Sequence, residues 1–350
     1  MASKTLFDTI IIGGGPGGLS TALGLCRQSR TCLVISHKVF RNDGIEASHA
    51  VLGHDHTHPQ EIWAKSRQQI DRYGTTSYAE DEIVSAKQQE LPQWNGHKGF
   101  LVKSKSGNSW LGKTLVLAMG VRDIFPAIEG YKENWPRNIY QCLFCDGWER
   151  RNTNKAVLAV PMGDGMFPSM MASMSLGMNK EKNDDGSAKV TILTNGAFDL
   201  GAANFEPSVV NRLKAVMARG VKIDQRKIIA LENSGESAEG VNVRLQDENG
   251  KEEKLHFGFI VHKPRTELNG QDIIEELGVE TEKTPHGDAI KVIAPFQGTN
   301  IPGLFAAGDS GVQMTHVTTA MVSGVTAAGG IVHYLNGLDD GDALAAEGLE

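Results

Sequence analysis

Short apolar runs, each closed by glycine or a polar turn, alternate along this chain with longer stretches in which apolar residues recur at helical spacing. The first run, Asp8 to Ile12, reads as a buried strand, and Gly13, Gly15 and Gly18 follow it. The next stretch predicts a helix with Leu19, Ala22, Leu23 and Cys26 on one face, and residues 31–36, TCLVIS, predict the second strand. Pro59 suits the first turn of another helix, in which Ile62, Trp63, Ser66, Ile70 and Tyr73 share a face until Gly74 ends it. From residue 82 to 118 the pattern changes to short strands. A hairpin turns at Ser106, Gly107 and Asn108, and a separate buried strand runs from Thr114 to Ala118, closing at Gly120.

The plan restarts at residues 155–160, KAVLAV. A helix, the strand KVTILTN, a second helix near 206–219 and a hairpin turning at Asn249 and Gly250 lead to FGFIVHKPR at 257–265. Two rounds of one strand–helix–strand–hairpin plan predict two nucleotide-binding-type domains of the α/β class. Residues 180–188 and 233–240 read as surface loops. Late in the chain, Leu304 to Ala307 form a buried strand, Gly308 and Asp309 a turn, and a helix rich in small residues starts at Gln313, with a loose tail after Asn336.

Composition narrows the function classes. The chain has 350 residues, 40% hydrophobic and 22% charged, enough for one large core or two medium ones. Thirty-five basic against 42 acidic residues leave a charge of -7, and no basic block offsets it, which argues against a nucleic-acid partner. No apolar run approaches the roughly 18–20 residues that span a bilayer. MASKTLFDTIIIGGG runs into the first strand without a signal-peptide pattern, so a soluble, cytoplasmic protein is expected.

Four cysteines are too few for a disulfide scaffold. Cys26 and Cys32 read as small buried residues. Cys142 and Cys145, in QCLFCDGWE, sit two residues apart with Asp146 directly behind, a spacing that lets a thiol pair give or take two electrons. The competing reading is half of a structural zinc site. It needs a second ligand pair at similar spacing, and the chain has no second C-x-x-C.

The strand, the G-x-G-x-x-G turn and the helix, in that order, point to dinucleotide binding. Glycines let bare backbone N–H groups at a helix N-terminus meet a pyrophosphate. The second strand ends in Ser36, followed by His37, where an acid normally binds the adenosine ribose. His49, His54, His56 and His58 crowd the loop before the Pro59 helix. They read as a metal site, as a loop beside cofactor or substrate, or as solvated residues; the sequence shows no Cys or Glu pair at ligand spacing there, and no metal is expected.

G-x-G-x-x-G at the start, C-x-x-C-D-G in mid-chain and PGLFAAGD before a late helix together resemble the low-molecular-weight thioredoxin reductases, over nearly the whole chain. The resemblance implies two Rossmann-like, three-layer ββα domains, the second inserted in the first. Residues 1–122 and 263–350 would bind FAD, and residues 123–262 would carry the redox pair. It implies a homodimer. It also implies FAD contacts from Gly13, Gly15, Pro16, Gly18, Ser36, Arg41, Asn42, Gly308, Asp309 and Val317, with Asp309 on the ribityl chain. By family position Cys145 is the thiol next to the flavin, Cys142 exchanges with substrate, and Asp146 moves the proton. His316, one turn into the helix from Gln313, reads either as a second proton carrier or as a packing residue.

Two requirements of a reductase fail together. The turn after the inserted domain's first strand is VLAVPMGDGMF, with Pro161 and Met162 where glycines belong, and the second strand is followed by NGAFDL without arginine. NADPH binding is therefore not expected, although Phe167, Met170, Met171, Met174 and Met178 keep a helical stripe that reads as core. Electrons then enter through the cysteines. The segments FRN (40–42), LGHDHTHPQE, CLFCDGWE and VHKP (261–264) resemble the dithiol oxidases that close disulfides in gliotoxin-type and holomycin-type metabolites. That resemblance implies a small-molecule dithiol as substrate and dioxygen as acceptor, giving hydrogen peroxide. Rival readings are a thioredoxin reductase fed by NADPH or ferredoxin, and a flavin-binding redox sensor.

Overall fold

The structure, a computed structural model, describes residues 5–201, 204–233 and 240–349, and the chain divides into two compact units. The first contains Met1–Asp43, His58–Asp123 and Thr266–Glu350, the second Gly44–Thr57 and Ile124–Arg265. The loop that carries His49, His54 and His56 thus belongs with the second unit, while His58 belongs with the first.

The larger sheet of the first unit has seven strands. Its parallel part sets Leu6–Ile12 between Cys32–Ser36 and Ser109–Leu117, with Ile12 opposite Ile35 and Leu117, and Leu304–Ala306 joins Ser109–Leu117 on another side. Alternation along these strands feeds two cores. Ile11, Val34 and Val116 pack against the helices Pro16–Cys26, Pro59–Asp71 and Val317–Ala346, while Ile10, Ile35 and Leu115 pack against Phe100, Val102 and Ile273.

The strand expected to begin at Thr114 is the second half of Ser109–Leu117, because the hairpin arm, paired with Lys98–Ser104 as far as Gly112, runs on beside Leu6–Ile12 to Leu117. Tyr73 lies beyond its helix and is exposed, since the helix ends at Asp71. The last helix starts at Val317 rather than Gln313. Thr319 Oγ1 accepts the His316 N–H at 3.2 Å and donates to the Met314 carbonyl, which fixes the N-cap at an extended His316. The same helix runs to Ala346, so the stretch after Asn336 is helical; Asn336 and Asp339 on it hold Arg30.

The second unit has three layers. Lys155–Leu158, Val190–Leu193, Lys222–Asp224, Phe259–Val261 and Ile139–Tyr140 form a parallel sheet. On one face Val157, Ile192 and Val261 meet the helices Met166–Gly177 and Pro207–Ala218; on the other, Ala156, Leu193 and Ile260 meet the antiparallel sheet of Lys227–Asn233, Val241–Gln246 and Glu252–Phe257. The methionine stripe is core except for Met170, which is exposed. Most of the expected loop at 233–240 lies outside the described residues. Among the described residues no helix is long and apolar enough to cross a membrane.

Candidate active site

The glycine turn is shaped by contacts that exclude side chains. Gly13 sits at φ +117°, and a Cβ there would stand 2.1 Å from the Ala118 carbonyl oxygen. One at Gly17 would stand 2.6 Å from Gly308 N, so the turn, the Ser109–Leu117 strand end and the Gly308 turn close on one another. Gly15, the N-cap of Pro16–Cys26, faces the other way: a Cβ there meets nothing within 4 Å, and among the described residues no side chain caps the helix. Pro16 at the first helical position removes no needed donor. A bare helix N-terminus with an open side is what a pyrophosphate requires, so the residues fit FAD.

Ser36 stands beside this turn, with its Oγ accepting the Lys38 N–H at 3.1 Å, which leaves its hydroxyl proton to donate. Arg41 forms a bidentate pair with Asp123 (2.9 and 2.6 Å) and donates to Asp309 at 2.9 Å. Asn42 follows it in a turn. Gly308 (φ +73°) donates its N–H to Ser323 Oγ at 2.8 Å, and Val317, the first helical residue, packs on the core. His316 is the N-cap, with Nδ1 2.9 Å from Thr318 Oγ1, and not one turn inside the helix. Cys26 and Cys32 are buried, as expected, and share the Thr76 hydroxyl at 2.9 and 3.1 Å.

In the second unit Cys142 and Cys145 are joined as a disulfide, Cα atoms 5.3 Å apart. Cys142 is the N-cap of the short helix Leu143–Asp146, and its Sγ accepts the Cys145 N–H at 3.2 Å. Phe144, between the cysteines, is exposed. Burial pushes the Asp146 carboxyl up to about 6, His49 pulls it back, and the negative charge of Glu149 adds to the rise. That value lets Asp146 exchange a proton near neutral pH.

Beside it the fold gathers residues whose grouping the sequence concealed. His49 Nε2 lies 3.1 Å from His56 Nδ1 and 3.5 Å from Glu149 Oε1. Nothing in the spacing signals this, because Glu149 comes from the segment after the cysteines. His58 instead caps its own helix, accepting from Gln60 N. The histidine of VHKP, His262, is a core residue: Tyr131 Oη lies 2.7 Å from its Nδ1, and its Nε2 donates to the Val160 carbonyl at 3.0 Å, next to the cis Val160–Pro161 bond.

The turn at 161–165 differs in kind from the one at 13–18. Asp164 Oδ1 accepts the Met166 N–H at 2.9 Å, putting a carboxylate at the helix N-terminus. Phe205, stacked on Phe198, comes within 3.1 Å of where a Gly165 Cβ would stand. Arg226, downstream of the second strand, is held by Asp224 and Glu253, both at 2.6 Å.

The pyridine nucleotide-disulphide oxidoreductase family model matches residues 7–324. The chain is 33% identical to a protein named thioredoxin reductase tcpT from Claviceps purpurea, over 93% of this chain and 92% of that one. It is 34% identical to thioredoxin reductase aclD from Aspergillus oryzae, over 94% and 96%. Among solved structures, an oxidoreductase from Agrobacterium tumefaciens superposes with a TM-score of 0.78 at 28% identity, covering 95% of this chain and 99% of that one.

Proposed function

Because the chain belongs to the pyridine nucleotide-disulphide oxidoreductases, and within them is related to the thioredoxin reductases, we propose that it is an FAD-dependent dithiol oxidase that closes a disulfide in a small-molecule dithiol. One observation carries this reading. A redox pair with an acid of raised pKa shares its unit with a turn whose helix N-terminus carries the Asp164 carboxylate and is approached by the Phe205 ring. A carboxylate at that helix N-terminus repels a pyrophosphate, and a phenyl ring fills space that bare glycine backbone would leave open.

In this reading residues 1–122 and 263–350 hold FAD, and 123–262 form the inserted redox domain. The pyrophosphate lies at Gly13, Gly15, Pro16 and Gly18. Ser36, Arg41, Asn42, Gly308, Asp309 and Val317 complete the cradle. The chemistry FAD supplies when bound is acceptance of two electrons from the dithiol and their transfer to dioxygen, giving hydrogen peroxide.

The protein's own residues run the exchange. A substrate thiolate attacks Cys142 Sγ, the Cys142–Cys145 bond breaks, and its electron pair goes to Cys145. The second substrate thiolate then attacks the substrate sulfur bound to Cys142. The substrate leaves as a disulfide, with two electrons now on the cysteines. Asp146 takes up a thiol proton, which a carboxyl near pKa 6 does without trapping it. Exposed Phe144 offers the incoming molecule an apolar surface beside the reacting sulfur. The enzyme acts as a homodimer in the cytoplasm.

The reductase reading keeps one support: Arg212 Nη1 lies 3.2 Å from Met166 Sδ, so a cation stands near that helix N-terminus. Oxygen consumption decides between them. With dithiothreitol and air, the oxidase forms one peroxide per dithiol consumed and needs no NADPH; dithiol loss without peroxide contradicts the proposal.

A further inference from the structure

We infer that His49, His56 and Glu149 form a binding site for a divalent first-row transition-metal ion of the zinc class. All three lie in the second unit, and their ligand atoms fall within 4.8 Å of one another. A tetrahedral Zn²⁺ with bonds of about 2.0–2.1 Å places neighbouring ligand atoms about 3.3–3.4 Å apart. The two measured edges, 3.1 Å from His49 Nε2 to His56 Nδ1 and 3.5 Å to Glu149 Oε1, bracket that value.

Hydrogen bonding alone accounts for only part of this. His49 Nε2 carries at most one proton, yet it faces both an imidazole nitrogen and a carboxylate oxygen. A single cation satisfies all three groups at once.

A second observation lies behind His56. Its other ring nitrogen, Nε2, is 3.5 Å from Asp55 Oδ2, and Asp55 is itself held by the Ala50 N–H at 3.0 Å. A carboxylate behind a ligating histidine is the usual support of a metal site, because it fixes the tautomer and raises ligand basicity. The loop is closed by the bridge between Ser48 and Thr57, and His56 is kept at φ +57°, a conformation uncommon for a residue other than glycine. Two imidazoles and one carboxylate suit zinc and its neighbours, whereas calcium and magnesium prefer oxygen cages. The His56 side chain is 62% exposed and that of His49 13%, so an ion enters from the solvent side and a fourth position stays open to water.

The test uses the untagged, FAD-loaded protein with its disulfide intact, so that Cys142 and Cys145 offer no thiolate. Calorimetric titration with zinc chloride is expected to show one ion per chain, and cobalt(II) should give the absorption of a tetrahedral site beyond the flavin bands. His56→Ala and the near-isosteric Glu149→Gln should each abolish saturable binding, Asp55→Asn should weaken it about tenfold, and His256→Ala should leave it unchanged. Retained flavin and an unshifted melting curve establish that the variants are folded. Absence of saturable zinc uptake by the unmodified protein, or equal uptake by folded Glu149→Gln, overturns the site.

Discussion

Arg41 Nη1 donates to Asp309 Oδ2 at 2.9 Å, so the segment after the second strand is tied to the turn before the last helix. Burial pulls the guanidinium down, but Asp123 and Asp309 outweigh it and raise it, keeping Arg41 charged. Arg41→Met leaves two carboxylates in a largely enclosed place. Breaking such a pair costs about 3–5 kcal/mol in a full interior, and the expected loss here is smaller, about 2–3 kcal/mol by denaturant unfolding, because Asp309 keeps some exposure. Flavin content should fall with it, and Arg41→Lys should lie between. An unchanged flavin-to-protein absorbance ratio in Arg41→Met takes this residue out of the cradle.

Asp146 gives a pH signature in stability. Its folded carboxyl sits at about 6, above the unfolded value, so protonation favours the fold. That contribution is complete below about pH 4 and is lost as the pH rises through about 6. Asp146→Asn, fixed as neutral, should therefore be more stable than the parent at about pH 8, by up to about 3 kcal/mol, and no more stable at about pH 4. Melting curves at the two values check the sign.

The same substitution should slow dithiol oxidation by about 10²–10⁴ and remove the rise in rate near pH 6. A residual profile with that limb intact assigns the proton to another group.

Cys142→Ser and Cys145→Ser should each abolish turnover while the protein stays yellow. In this account neither thiol holds FAD, so loss of flavin from either variant contradicts the assigned roles. Trapping tells the two apart: an aromatic disulfide probe should be attacked by Cys142 in Cys145→Ser, leaving a stable mixed disulfide and releasing one aryl thiolate, and should react more slowly with Cys142→Ser, as read by intact mass.

His316→Ala removes an N-cap side chain and should cost about 1 kcal/mol. Dithiol oxidation at the full rate from about pH 6 to about pH 9 would leave His316 with that structural role alone.

The two ββα rounds and the glycine turn were legible in the sequence because strand alternation, helical spacing and glycine packing are local signals, and the C-x-x-C-D run is contiguous. What stayed hidden depends on long-range contact. The bidentate partner of Arg41, Asp123, comes from a separate segment, and Glu149 meets His49 only through the fold. Sequence pattern alone starts the last helix too early, because Gln313 to Thr315 are helix-compatible, while the Thr319 hydroxyl sets the boundary from inside the helix. The small-residue pattern after Asn336 looked loose, although Arg30 anchors it from the first helix's end.

The most direct test of the central claim is to mix the oxidised holoenzyme anaerobically with excess NADPH and then with dithiothreitol, following the flavin absorbance. The account predicts that NADPH leaves the flavin oxidised, that the dithiol bleaches it through Cys142 and Cys145, and that air restores the colour with release of peroxide. Prompt bleaching by NADPH would contradict it and identify the turn at Asp164 as a working dinucleotide site.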